Sequence, residues 1–175
     1  MKSLVVSILI VTIISASYSQ QQKRTAVPET ARDKKAYLGM RYAGNKLPAG
    51  HKWMAGSLLT DPYKDEKQYG VTHVVRGRVN MMWFDLLTHN DAEGHPHWII
   101  KDVLFLPPIS KNQQLFHVDC VLNDKPDPEL VVIVDNVVRT GYYTRVRHAW
   151  RANRRTEKFE PIPTKGIKCV GYGED

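Results

Sequence analysis

From Gly70 onward, apolar residues recur at every second position in short runs broken by glycine, proline, asparagine and aspartate. That is the period of a strand, not of a helix. Val71, His73, Val75, Val79, Met81 and Trp83 alternate with Thr72, Val74, Arg76, Arg78, Asn80 and Met82, which predicts one long strand with its odd-numbered face buried. Gly77 interrupts that face, and an isolated glycine inside a strand marks a bulge, a bend or a close approach.

The same logic carries to the C-terminus. A polar turn from His89 to Gly94 separates this run from Trp98 to Ile100 and Val103 to Leu106, and Pro107-Pro108 ends the second arm, so a long hairpin is expected. Phe116, Val118, Cys120 and Leu122 alternate, Asp124 to Glu129 forms a turn, and Leu130 to Val134 is apolar throughout. Tyr142, Thr144, Val146, His148 and Trp150 then share one face of a strand, with Tyr143, Arg145, Arg147, Ala149 and Arg151 on the other. The pattern predicts a mainly β domain, an antiparallel β-sandwich or partly open β-barrel of about seven or eight strands. The alternative is an α+β fold, with one N-terminal helix on a curved antiparallel sheet; Thr30 to Leu38 after Pro28 is a short helix candidate. Trp53, Met54, Leu58 and Leu59 are the first large apolar groups expected in the core.

Upstream, Lys2 precedes an apolar run from Leu4 to Ile14 and small residues at Ala16, Ser17 and Ser19, the layout of a secretory signal peptide covering 1–19. The run is too short for a membrane span. A Gln-rich leader follows over 20–29, and 30–175 reads as a single β-rich domain. A secreted or periplasmic location follows, with no transmembrane segment left after signal removal. Export also governs the two cysteines: Cys120 and Cys169 are expected to form a disulfide, because oxidising compartments favour it. His117 lies three positions from Cys120 and would point to the opposite strand face, which argues against a catalytic thiol.

No Walker A loop, G-x-S-x-G, H-E-x-x-H, C-x-x-C or G-x-G-x-x-G fingerprint occurs, and the reading leans away from an enzyme and its cofactors. Two clusters remain. Asp85 to His97 contains three of the seven histidines. If Asn90 to Gly94 is a five-residue loop, His89 faces His95, and Asp85, His89, His95 and His97 line one side of the hairpin, where imidazoles and a carboxylate could hold zinc or copper. The second cluster is basic: Arg139 to Lys168 carries nine basic and two acidic residues, against a formal charge of +7 for the whole chain. Arg145, Arg147 and Arg151 would share an exposed face, with Arg154 and Arg155 in the next turn and Tyr143 as a stacking partner. Such a surface would attract an anionic polymer, lipid head group or acidic protein; a dedicated nucleic-acid role does not fit an exported protein. Trp53, Trp83, Trp98 and Trp150 could line a pocket inside a barrel, though filling the core is their simpler use.

The function expected from the residues is therefore an exported, non-enzymatic binding or envelope-associated module that contacts an anionic partner through its basic C-terminal hairpin. The alternative is a metal-binding protein or metal-dependent hydrolase built on the His-rich tip.

Overall fold

A computed structural model describes residues 31–59 and 65–171. The expected signal peptide and leader lie outside the described residues. Among those residues one short helix, α1 (Ala31–Tyr37), precedes fourteen strands in three antiparallel sheets. The mainly β expectation holds. The higher strand count arises because long runs break at bulges and corners into separately paired segments.

The first sheet has the order β1-β5-β4-β3-β2, with β1 (Arg41–Ala43), β2 (His51–Leu58), β3 (Tyr69–Arg76), β4 (Val79–Asn90) and β5 (Pro96–Phe105). It curls into a half-barrel. Although β5 and β4 separate β1 from β3 within the sheet, the Tyr42 hydroxyl of β1 lies 3.0 Å from Thr72 Oγ1 of β3 across the concave face. α1 places Tyr37 against Trp83 and Phe105 in the same hollow, with ring centroids 6.0 and 6.2 Å apart.

A second sheet of order β13-β12-β9-β6 packs on the convex side; it comprises β6 (Gln113–Phe116), β9 (Leu130–Asp135), β12 (Val146–Asn153) and β13 (Lys158–Pro161). A third, of order β10-β11-β14-β7-β8, comprises β7 (Cys120–Leu122), β8 (Lys125–Pro126), β10 (Val138–Arg139), β11 (Tyr142–Tyr143) and β14 (Ile167–Val170). β9 is the middle of the molecule. Val131 and Ile133 pack with Val71, Met82 and Phe84 of the half-barrel, while Leu130, Val132 and Val134 pack with Tyr143, Ile167 and the cysteines of the third sheet. Burial on both faces is why this strand is apolar throughout. Cys120 and Cys169 are bonded, and they sit directly opposite each other on β7 and β14.

Three strand expectations are corrected. The run from Val71 to Trp83 is two strands, because Arg76 pairs with Val79 around a two-residue loop. Gly77 (φ 60°) occupies the first loop position, which a type II′ hairpin turn reserves for glycine. Both faces are consequently buried, since Met81, Met82, Trp83 and Phe84 are all inaccessible to solvent. The run from Tyr142 to Arg151 is also split: Tyr142 and Tyr143 pair in the third sheet, and Val146 onward pairs in the second. Finally, Trp53, Met54 and Leu58 remain 44%, 43% and 46% exposed, and only Leu59 of that group enters the core. They lie on β2, an edge strand that has no neighbour on its outer side among the described residues.

Candidate functional site

The mouth of the half-barrel holds a cavity of about 200 Å³ to which all five strands contribute. Two β-sheet details build it. The first is a bulge on β5: Phe84 pairs with Asp102 but Asp85 pairs with Ile100, so Lys101 is extra. A bulge exchanges the faces of the residues beyond it, and this one allows Val103 on one side and Ile100 and Trp98 on the other to share the concave face. Trp98 is thereby turned into the cavity. The second detail is a pair of glycines. A Cβ at Gly70 would lie 3.1 Å from Ser57 O and 3.5 Å from the Trp98 ring, so a bare backbone lets that ring fold over β3. A Cβ at Gly56 would meet Trp53 Nε1 at 3.5 Å and Thr72 Oγ1 at 3.6 Å, and would project into the space between them.

Asp85 pairs with Gly70 on β4 and stands on the cavity's inner wall. Its side chain has almost no solvent exposure, and neither carboxylate oxygen has a hydrogen-bond partner. Burial pushes its carboxyl up to about 7, although the nearby Thr72 and Tyr42 hydroxyls oppose part of the rise. Those two hydroxyls lie 3.0 Å apart and bond each other. Burial, reinforced by the Asp85 charge, also raises the Tyr42 phenol well above its ordinary range. Asp102, the other buried aspartate, shows what a satisfied acid looks like here: Lys34 Nζ lies 2.7 Å away and the Phe159 backbone N–H donates at 2.8 Å. A buried carboxylate without donors is expensive unless something supplies them.

The His-rich tip is assembled in part. His89 pairs with His97, not with His95, and the two rings stack 4.4 Å apart. Asp91 Oδ2 lies 3.3 Å from His95 Nδ1 and 3.4 Å from His97 Nε2, while Oδ1 accepts from the His95 backbone N–H at 2.7 Å. Ligating atoms of Asp91, Glu93 and His95 fall within 4.8 Å of one another. Asp85 does not belong to this group. A second register shift between Leu87 and His89 leaves Thr88 extra, so Asp85 faces the hollow and the histidine pair lies on the other face.

Three of the five arginines expected to hold an anion are occupied by the chain's own acids. Arg147 donates to both oxygens of Asp135, at 2.8 and 2.5 Å. Arg151 reaches Asp127 at 2.6 Å and Glu129 at 3.1 Å, and Arg154 reaches Glu129 at 2.6 Å. Arg145 and Arg155 are exposed. Tyr143 offers no stacking surface, being buried against Phe116 with ring centroids 5.2 Å apart. It belongs to the third sheet because the expected strand breaks after it.

One pair invisible to sequence reading is Ser57 and His117, with Oγ 2.9 Å from Nδ1 across 60 positions. Burial holds the His117 imidazole below its usual range, with the His73 charge acting in the same direction. Ser57 also donates to the His117 carbonyl at 3.2 Å. It pairs with Val71, whose side chain packs toward the second sheet, so the Ser57 hydroxyl faces away from the cavity and ties β2 to the chain beyond β6. Comparison with protein-family models, with curated proteins and with solved structures finds no match.

Proposed function

We propose that this chain is an exported binding module whose ligand is a small molecule held in the mouth of the half-barrel. The observation that carries the reading is Asp85, a fully buried carboxylate with neither oxygen hydrogen-bonded that borders an open cavity. Trp98 and the half-exposed Trp53 supply apolar walls, and ligand pockets of this kind combine apolar lining with a few convergent polar groups. The reading favours binding over catalysis, because the Ser57–His117 pair points to the opposite face. The disulfide agrees with an oxidising, secreted or periplasmic setting, and no helix among the described residues is long and apolar enough to cross a membrane.

The test is a titration with 2-phenylethanol followed by NMR of the mature chain. The indole N–H signals of Trp53 and Trp98 are expected to shift while that of Trp150 stays put, and Gly56→Val, which fills the cavity, is expected to abolish the response. Shifts that survive Gly56→Val would refute the location.

A second reading, metal binding at the hairpin tip, draws support from the convergence of Asp91, Glu93 and His95. It predicts zinc or copper in native protein, lost in a His95→Ala, His97→Ala double variant. An anionic partner at the basic stretch draws on Arg145 and Arg155, since Arg147, Arg151 and Arg154 already hold carboxylates.

A further inference from the structure

Asp85 restricts what the cavity can hold. Among the described residues no lysine, arginine or histidine lines the space, so the chain itself offers the carboxylate no countercharge. Lys101, extra at the bulge on the neighbouring strand β5, is engaged elsewhere, with Nζ 2.6 Å from Glu157. The other polar groups on the inner wall are the Trp53 indole N–H and the Tyr42 and Thr72 hydroxyls, one of which donates to the other while the second keeps its proton beside Asp85. The site therefore presents one strong acceptor, a few neutral donors, no cation and aromatic walls.

Each ligand class meets those conditions differently. Ionised Asp85 repels a carboxylate or phosphate. A sugar needs several donors and acceptors distributed around its ring, and here the polar side chains are Asp85, the adjoining Tyr42–Thr72 pair and one indole N–H between aromatic walls. A bare metal ion needs three or more ligating atoms, which a single carboxylate does not provide. An organic ammonium meets all of them: its N–H groups satisfy both orphan oxygens, its charge replaces the missing countercharge, and indole faces attract cations. Aromatic or aliphatic carbon then fills the space between Trp53 and Trp98 that the absent side chains of Gly56 and Gly70 leave open.

We propose that the half-barrel mouth binds a small primary amine, with its ammonium paired to Asp85 and its apolar body lying between Trp53 and Trp98. This rests on the pocket reading above and specifies its ligand class. One buried carboxylate and about 200 Å³ of space suit a monoamine with a single ring or short chain.

The experiment is calorimetric titration at pH 8 of the disulfide-bonded mature chain with three isosteric probes: 2-phenylethylamine, 2-phenylethanol and phenylacetate. An alkylammonium of this type is protonated at that pH, as lysine is. The amine is expected to bind one-to-one, about tenfold or more tighter than the alcohol, because a charge-assisted bond replaces a neutral one; phenylacetate is expected to bind weakest. Asp85→Asn is expected to bring the amine to within about twofold of the alcohol while alcohol binding persists, which also shows that the variant is folded. Alcohol or phenylacetate binding as tightly as the amine would overturn the ammonium assignment and leave the pocket standing. An amine preference undiminished in Asp85→Asn would overturn the role of the carboxylate. Failure of both amine and alcohol to bind would overturn the pocket reading itself.

Discussion

Replacing Asp85 by Asn removes the one buried carboxyl among the described residues that has no partner, and the consequence is a change in how stability depends on pH. In the folded chain burial raises this carboxyl from 3.8 to about 7. Between those two values the native state holds a proton that the unfolded chain has released, so native stability falls as pH rises through the interval and levels off above about 7. At about 1.36 kcal/mol per unit, the full effect is on the order of 4 kcal/mol. A carboxamide does not titrate, so the Asp85→Asn variant lacks that fall. Other acids work in the opposite direction: Asp135, held low by its bonds to Arg147, and Glu157, held low by Lys101, stabilise the fold above the carboxylate range and stop doing so in acid. They are common to both proteins and cancel in the difference. Urea unfolding with the disulfide intact, run at intervals from pH 4 to pH 8, should show the variant gaining on the parent by several kcal/mol across the range. Any fixed penalty from the unpaired amide shifts the whole curve and does not bend it. A difference between the two proteins that stays constant within about 1 kcal/mol over that range would refute the reasoning.

Other perturbations read other parts of the framework. Removing the disulfide by Cys120→Ala with Cys169→Ala releases a closure spanning 49 positions, and should lower unfolding stability by about 4 kcal/mol in urea titrations. Gly77→Val places a β-branched residue at φ 60° in the β3–β4 turn, and should cost about 1 kcal/mol or more, read as a lower thermal midpoint with an unchanged circular dichroism spectrum. Arg151→Ala leaves Asp127 and Glu129, each about 15% exposed, without a shared cation; the expected loss is about 1 to 3 kcal/mol.

What could be read from the residues, and what could not, divides along a physical line. Strand existence was legible because a half-buried strand must alternate, and Leu130 to Val134 was legible as a buried strand because nothing polar interrupts it. The Cys120–Cys169 bond was legible because only one pairing exists. Misplacements arose wherever a side chain's face depended on an event elsewhere in the sheet. Trp53 and Leu58 look like core residues, yet they lie on an edge strand without an outer neighbour among the described residues. Tyr143 and Arg145 look like members of one face until the chain leaves one sheet for another between Tyr143 and Val146.

The candidate site shows the same dependence in its sharpest form. Asp85, His89, His95 and His97 form one set if strict alternation holds from Asp85 to His97. Thr88, extra on β4, undoes it by sending the histidine pair to the far face, while Lys101, extra on β5, brings Trp98 to the near one. Neither shift has a signature in residue type, since threonine and lysine are ordinary strand residues and bulges are set by pairing between strands distant in sequence. The same two shifts separate the molecule's two candidate sites. Asp85 is left in an aromatic hollow with neither oxygen hydrogen-bonded and no cation in the lining, where a cation compensates its desolvation better than an uncharged partner does. The histidines, on the other face, share Asp91 at the exposed tip, where water can serve every lone pair. Only at the first of these sites does the chain leave a buried polar group unsatisfied, and for that reason a ligand is to be sought at Asp85 before the tip.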